Sequence, residues 1–352
     1  MSKFKIKDRY VGDGCPVFFI AEAGVNHNGS VELGKKLIDV ASEAGADAVK
    51  FQTFKAENLN TRSAPKSTYH VETTGGDEDQ TWFELLKTQE IDREMHLALM
   101  DRCRERDITF LSTPYDPESA DLLEELGVSA YKLASTDTTN LPLIRKVARK
   151  GKPLILSTAM CEMEEVEQAI AAARGEGLDE LVVLQCTGNY PAALKDSNIR
   201  VMKTFRDHFD CLVGFSDHNE DLINPIVATA LGACVYEKHF TMDKSLPGPD
   251  HRMALEPDEL RETIRAIRKT ELAMGSEKKR ALDSEAENRD KLRKSLVTTR
   301  QVRAGERLEE NMVVMKRPGT GISPARFKEF LGCVFIHDVD KDTVIEEIYF
   351  ED

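Results

Sequence analysis

Short apolar runs rich in β-branched residues alternate with helical periodicity eight times between residues 17 and 275. This alternation constrains the fold more than any other feature, because strands separated by helical stretches pair in parallel through crossover helices. The strand-like runs are 17–23, 48–54, 108–113, 130–134, 153–158, 181–187, 212–216 and 235–240. Helical patterns include 31–44, 93–106, 117–126, 141–150, 162–173 and 223–231, with 257–274 after the last strand. Eight repeats predict an α/β chain closed into a (β/α)8 TIM barrel. An open doubly wound sheet more often shows about five or six strands and a glycine-rich first turn. No GxGxxG turn occurs in the chain.

Two stretches break the repeat. Residues 58–80 form a long polar insertion after the second run and read as a mobile lid. Residues 275–294 are dense in Lys, Glu, Asp and Arg and read as a linker. Short strand candidates follow at 295–299, 313–317, 334–336 and 343–348, punctuated by Arg303-Ala-Gly-Glu306, Arg317-Pro-Gly-Thr-Gly321 and Asp338-Val-Asp-Lys-Asp342. The expected organisation is therefore a barrel over 1–275, a charged linker over 276–293 and a small domain over 294–352. The last is too small to build much core alone.

Composition narrows the function. A net charge of −14 leaves no broad basic face to neutralise phosphates, which argues against nucleic acid. The seven cysteines are scattered, odd in number and without CxxC spacing, as expected of reduced cytosolic thiols. No run approaches transmembrane length and the N-terminus lacks the apolar core of a signal peptide. A soluble, cytoplasmic protein without membrane contact is expected.

Polar groups sit where purely structural strands would end in turns. Val213-Gly-Phe-Ser-Asp-His218 and Val235-Tyr-Glu-Lys-His239 each close on a histidine. Alternation puts Ser216 with His218 and Glu237 with His239 on one face, at the carboxyl edge where parallel sheets and barrels place their sites. Two neutral imidazoles with open positions suit a divalent metal. Glu22 closes the first strand beside Asn26 and His27, which favours acid–base or metal-supporting work over a capping role. Lys50 and Gln52 face one way on the second strand. Thr113 ends the third, Lys132 and Ser135 the fourth and Ser157 the fifth, while Tyr190 follows the sixth. Two lysines and several hydroxyls converging on one mouth make a cradle for phosphate or carboxylate. Asp217 and Glu237 flank the histidines and either orient an imidazole or face the helices. Asp250, in the loop after the last strand, either holds substrate hydroxyls or forms a turn.

These motifs together resemble the sialic acid synthase family. The resemblance is carried by Glu22-Ala-Gly-Val-Asn-His-Asn-Gly29, Val49-Lys-Phe-Gln52, Leu111-Ser-Thr-Pro114, Tyr131-Lys-Leu-Ala-Ser135, Leu156-Ser-Thr158, Gly214-Phe-Ser-Asp-His218, Glu237-Lys-His239-Phe240 and Gly248-Pro-Asp250. The tail, with Lys316-Arg-Pro-Gly-Thr-Gly-Ile-Ser-Pro324, is similar to the family's antifreeze-like (SAF) domain. The resemblance implies a synthase that condenses phosphoenolpyruvate with an N-acylated hexose. It implies Mn²⁺ or Mg²⁺ on His218 and His239, and phosphoenolpyruvate on Lys50, Lys132, Ser135, Ser157, Ser216 and Thr113. Glu22 would be the acid–base carboxylate, and Gln52, Tyr190 and Asp250 would meet the sugar. Arg317 would be inserted into a partner's barrel, which implies a domain-swapped homodimer.

Two departures bear on the sugar. Asp137 stands where N-acetylmannosamine users commonly have Glu, and Gly188 replaces an Asn that helps hold phosphoenolpyruvate in some members. Both favour a 2,4-diacetamido-6-deoxy mannose leading to legionaminic acid, slightly ahead of N-acetylmannosamine leading to N-acetylneuraminate. The rival enzyme is a phosphoenolpyruvate–aldose synthase of the octulosonate or heptulosonate kind, and the rival outside catalysis is a carbohydrate- or ice-binding protein. A phosphorylated aldose would need a second basic cluster, and the loops show none. A binding protein would have no use for lysines and histidines at the mouth.

Overall fold

The computed structural model describes residues 3–66, 68–74 and 80–351. Eight parallel strands form one sheet: β1 (Phe18–Gly24), β2 (Ala48–Thr53), β3 (Thr109–Pro114), β4 (Tyr131–Leu133), β5 (Leu154–Ser157), β6 (Leu181–Cys186), β7 (Leu212–Asp217) and β8 (Val235–His239). Neighbours run in chain order, and β1 pairs with both β2 and β8. β3 adjoins β4 across the remaining seam, so the sheet curls into a nearly closed barrel. The predicted (β/α)8 architecture is what the chain adopts.

Helices form where sequence signals call for them. Ser30 caps Val31–Ala44 by accepting a hydrogen bond from the Leu33 N–H, and Gly45, at φ +87°, ends that helix. Asp116 caps Pro117–Glu125, with Pro117 in its first turn, and Pro257 opens Pro257–Met274. Among the elements not anticipated from the sequence, two bear on the barrel. Helix Val201–Phe209 fills the crossover from β6 to β7, and a hairpin of Lys3–Ile6 with Arg9–Gly12 precedes the barrel.

The strands sort their side chains by alternation. Outward residues such as Phe19, Val49, Phe51, Tyr131, Leu156, Val183, Phe215 and Tyr236 pack against the helices. Inward residues Phe18, Ile20, Ala48, Leu111, Ala130, Ile155, Val182, Leu184, Leu212 and Val235 form a separate apolar layer in the lumen, with Phe4, Ile6 and Val11 of the hairpin below it. Two residues further along seven of the strands, and four along β7, the inward face changes to Glu22, Lys50, Thr113, Lys132, Ser157, Cys186, Ser216 and Glu237, all polar but the thiol. The apolar layer is thus the floor on which the polar mouth stands.

Residues Met1–Gly275 form one compact unit and Ser276–Asp352 another. The second has its own small core of Leu296, Val302, Leu308, Ile322, Phe335, Val339, Ile345 and Phe350. The charged stretch expected as a linker holds a short exposed helix, Ala286–Leu292, within that unit. Part of the predicted lid, residues 67 and 75–79, lies outside the described residues. Its described part includes helix Thr68–Thr73, whose Thr73 carbonyl accepts a hydrogen bond from the Gly248 N–H at 3.1 Å. All seven cysteines are free thiols. Among the described residues, no helix is long and apolar enough to cross a membrane.

Gly214 shows how tightly the lumen is filled. A Cβ there would lie 2.3 Å from the Val235 carbonyl oxygen and 2.6 Å from Leu184 Cδ2. Gly214→Ala should therefore destabilise the barrel by roughly 1–3 kcal/mol, the usual consequence of overpacking. Denaturant unfolding of the two proteins would check this, and an unchanged midpoint would refute it.

Candidate active site

The polar ends of the strands enclose a cavity of about 210 Å³. Its lining includes Glu22, Lys50, Gln52, Lys132, Ser135, Ser157, Tyr190, Ser216, His218, His239 and Asp250, eleven of the residues singled out from sequence. Three others stand apart. Thr113 is fully buried, does not line the cavity, and accepts a hydrogen bond from Lys50 Nζ at 2.9 Å. Asp137 does not line the cavity, because its carboxylate is turned to the Asn140 amide at 2.9 Å near the start of the next helix. Arg317 belongs to the second unit, where its Nε donates to the Leu292 carbonyl at 3.1 Å. Ser135 does not extend β4. It opens a 3₁₀ turn, Ser135–Asp137, and its Oγ accepts from the Ala159 N–H at 2.8 Å.

Four charged groups meet at the base of the cavity. Lys50 Nζ lies 2.6 Å from Glu22 Oε2 and 3.8 Å from Glu237 Oε2, and Lys132 Nζ lies 3.4 Å from Glu237 Oε1. Lys132 also donates to Ser157 Oγ at 2.6 Å, Ser216 Oγ donates to Glu237 at 3.0 Å, and Gln52 donates to Glu22 at 3.2 Å. All four charged residues are at most 5% exposed. Glu237 is thus the shared counter-ion, a role that the sequence left open. The alternation that aims His239 inward aims Glu237 inward as well.

Burial and pairing set the protonation states. Burial raises the Glu22 carboxyl to about 7, helped by Glu237 and opposed by Lys50. Burial also disfavours ionised Glu237, but the two lysines and the Ser216 hydroxyl outweigh it and hold the group below its ordinary value. The Lys50 ammonium loses solvation yet is kept above its ordinary value by Glu22 and Glu237. Lys132 falls below its ordinary value through burial. Asp250 is pushed up to about 6 by burial.

The two imidazoles stand over this base with ring centres 5.4 Å apart. His218 Nδ1 lies 2.7 Å from the Thr187 carbonyl, and Tyr190 stacks on its ring at 4.2 Å. With Nδ1 carrying the proton toward that carbonyl, Nε2 keeps a free lone pair. His239 is held neutral by burial and nearby cations, and its Nδ1 has no hydrogen-bond partner among the described residues. Asp250 Oδ2, at 3.7 Å, is too far to supply one. Burial lowers His218, but Cys186 and the Thr187 carbonyl outweigh it and hold the ring above its ordinary value, so His218 would give up a proton on taking a cation. Two oriented imidazoles, one of them already neutral, fit a divalent ion. Among the described residues no group of three or more His, Cys, Asp or Glu is arranged to hold one, so water or substrate oxygens would complete the shell.

Further residues that the strand pattern had not pointed to complete the wall: Val25, Trp82, Leu86, Gln89, Tyr115, Cys186 and Pro249. Cys186, at the inward end of β6, was accessible to the same alternation argument. Trp82 and Leu86 sit on helix Trp82–Lys87, just beyond the long insertion, where no periodic signal pointed to them. Gly188 lies outside this cavity, and a Cβ there would approach Met160 Cγ to 3.0 Å.

Glu237→Gln should leave two buried ammonium groups sharing one carboxylate, so stability should drop by roughly 3 kcal/mol or more at neutral pH. Inorganic phosphate, an anion able to take the vacated place, should restore part of that loss. Thermal unfolding with and without phosphate reads both effects; a variant as stable as the parent would disprove the shared-counter-ion assignment.

Residues 37–279 match the NeuB family and residues 293–347 match the SAF domain. The chain is 43% identical to N,N'-diacetyllegionaminic acid synthase of Campylobacter jejuni, covering 93% of this chain and 98% of that protein. It is 42% identical to the enzyme of the same name from Legionella pneumophila, covering 91% of each. Among solved structures, spore coat polysaccharide biosynthesis protein SpsE of Bacillus subtilis superposes with a TM-score of 0.67 at 38% identity, covering 100% of this chain and 99% of that one.

Proposed function

The chain belongs to the NeuB family and carries an SAF domain, and on that footing we propose that it condenses phosphoenolpyruvate with an N-acylated mannosamine-type sugar to give a nonulosonic acid. The observation that carries this reading is the pair of buried lysines, Lys50 and Lys132, at the base of a cavity that also holds two buried imidazoles. Buried ammonium groups are costly unless an anion compensates them. Phosphoenolpyruvate supplies a phosphate and a carboxylate, with Ser135, Ser157 and Ser216 as further donors. Thr113, which does not line the cavity, acts by orienting Lys50.

In the proposed reaction carbon 3 of phosphoenolpyruvate attacks the aldehyde carbon of the open-chain sugar, and positive charge develops at carbon 2. Water adds at carbon 2, and the resulting tetrahedral centre expels phosphate by C–O cleavage. Mn²⁺ or Mg²⁺ held by His218 and His239 would polarise the aldehyde oxygen. Glu22, with its carboxyl near neutrality, gives a proton to that oxygen. Gln52, Tyr190 and Asp250 line the cavity for the sugar's polar groups.

Charge favours an ion as well. The lining has Glu22, Glu237 and Asp250 against Lys50 and Lys132, so an anionic substrate needs further compensation. A divalent cation and protonation of Glu22 provide it. A domain-swapped homodimer in which Arg317 of one copy serves the barrel of another would add one more cation. Both lysines already serve one anionic substrate, and among the described residues the cavity lining offers no further lysine or arginine for a sugar phosphate. An uncharged sugar fits better. Relatives named for N,N'-diacetyllegionaminic acid, together with Val25, Trp82, Leu86 and Pro249 in the wall, support a 2,4-diacetamido-6-deoxy mannose leading to legionaminic acid. Asp137, turned from the cavity, no longer bears on that choice. Phosphoenolpyruvate as co-substrate accords with a cytoplasmic location.

The test is phosphate release from phosphoenolpyruvate with a panel of N-acylated sugars. Activity should disappear in chelator, return with Mn²⁺, and be lost in His218→Ala and His239→Ala. The diacetamido-deoxy sugar should exceed N-acetylmannosamine at least tenfold in kcat/KM, about 1.4 kcal/mol in transition-state binding. A tenfold preference the other way would reverse the choice of sugar, and no phosphate release with any of them would refute the reaction.

A pH profile gives a second check. With Glu22 needed in its protonated form, kcat/KM should fall as pH rises through about 7. Glu22→Gln should have lower activity and lack that limb. A limb unchanged in Glu22→Gln would assign it to another group.

A further inference from the structure

We propose that Asp217, Lys238 and Tyr236 form a positioning clamp on the outer face of the barrel, which holds His218, His239 and the Tyr190 loop in the arrangement that binds the ion. This rests on the reading that the two imidazoles share a divalent cation.

Alternation divides β7 and β8 into two faces. Ser216, His218, Glu237 and His239 line the cavity, while Asp217, Tyr236 and Lys238 do not. These three are nonetheless at most 2% exposed. Asp217 and Lys238 are direct cross-strand partners. Asp217 Oδ2 accepts from Tyr236 Oη at 2.6 Å and lies 3.3 Å from Lys238 Nζ. Its Oδ1 accepts from the Asn219 N–H at 2.9 Å and from Asn224 Nδ2 at 3.0 Å, on helix Ile223–Ala230.

The network reaches the site through Asn219, the residue after His218. Lys238 donates to the Asn219 carbonyl. Asn219 Nδ2 donates to the Ala192 carbonyl at 2.7 Å, and the Ala192 N–H donates to the His218 carbonyl at 2.9 Å. The backbone on both sides of His218 is therefore tied to Asp217, and the tie extends to the loop carrying Thr187 and Tyr190. Those two residues fix the imidazole itself, one through its carbonyl and one through its ring. Lys238 immediately precedes His239, so one ion pair restrains the chain beside both histidines.

Stability alone does not account for this pair. Buried ion pairs are often matched or exceeded in stability by well-packed apolar residues of similar volume. What an apolar pair lacks is direction: it would not hold Asn219 and the strand register at fixed angles. Groups that orient metal-binding histidines commonly change ion affinity by about 10–100-fold when removed.

The test measures Mn²⁺ binding to the full-length protein by electron paramagnetic resonance after chelator treatment, alongside thermal unfolding of the ion-free form. Asp217→Asn and Lys238→Met should each weaken Mn²⁺ binding tenfold or more. A single change strands a buried charge, so the informative variant is the double Asp217→Asn/Lys238→Met. It should melt close to the parent yet bind Mn²⁺ at least tenfold more weakly. Arg268→Met, which breaks the ion pair with Asp47 at 2.8 Å ahead of β2, should lower the melting temperature without changing Mn²⁺ affinity. Parent-like affinity in the double variant, or an equal loss in Arg268→Met, overturns the clamp while leaving the two-imidazole reading in place. A parent protein that binds no Mn²⁺ overturns that reading and the clamp with it.

Discussion

Two ammonium groups buried within reach of a single carboxylate are the constraint around which this barrel is arranged. Lys132 has Glu237 as its carboxylate partner, Lys50 is shared between Glu22 and Glu237, and the two lysines in turn hold Glu237 ionised. The arrangement requires three strands, β2, β4 and β8, to deliver their side chains to one point, and barrel closure is what brings those strands together. It also requires dry surroundings. The apolar floor of inward residues provides them from below, and the imidazoles, Tyr190 and the Asp250 loop cover them from above. Free energy given up to bury the charges is recovered when an anion of the right shape arrives, because the site is already oriented to receive it.

Much of this was legible in the sequence, and for a physical reason. A barrel strand has a period of two, so a single inward residue fixes the direction of its neighbours two away. Lys50 implied Gln52, Ser216 implied His218, and the count of eight runs implied closure. Glu237 was equally implied by His239, but a strand flanked by charged residues on both faces gives no contrast to choose between them. Asp217 and Lys238 carry charge on the outer face, and alternation separates them from Glu237 without showing which of the three the lysines of the mouth would meet.

Other features left no periodic trace. Asp137 follows a strand end in a 3₁₀ turn, where alternation no longer applies, and its carboxylate found Asn140 instead of the cavity. Trp82 and Leu86 come from a six-residue helix that follows an irregular insertion. Their place in the wall depends on how that stretch folds back, a tertiary matter that composition does not encode. The hairpin before β1 is short, and its apolar residues Phe4, Ile6 and Val11 read as unremarkable until the barrel supplies a floor for them to cover.

The position of β1 bears on how the protein can be divided. The family match begins at residue 37, yet β1 lies earlier in the chain, between β2 and β8, and carries Glu22. A fragment trimmed to the matched region would keep seven strands and present two long, unpaired parallel edges where the barrel should close. It would also uncover the lumen floor that the hairpin shields. Such edges recruit strands from other molecules, so the trimmed fragment would tend to precipitate before its chemistry could be assayed. The stretch before the family match is the one that keeps the barrel a separate molecule.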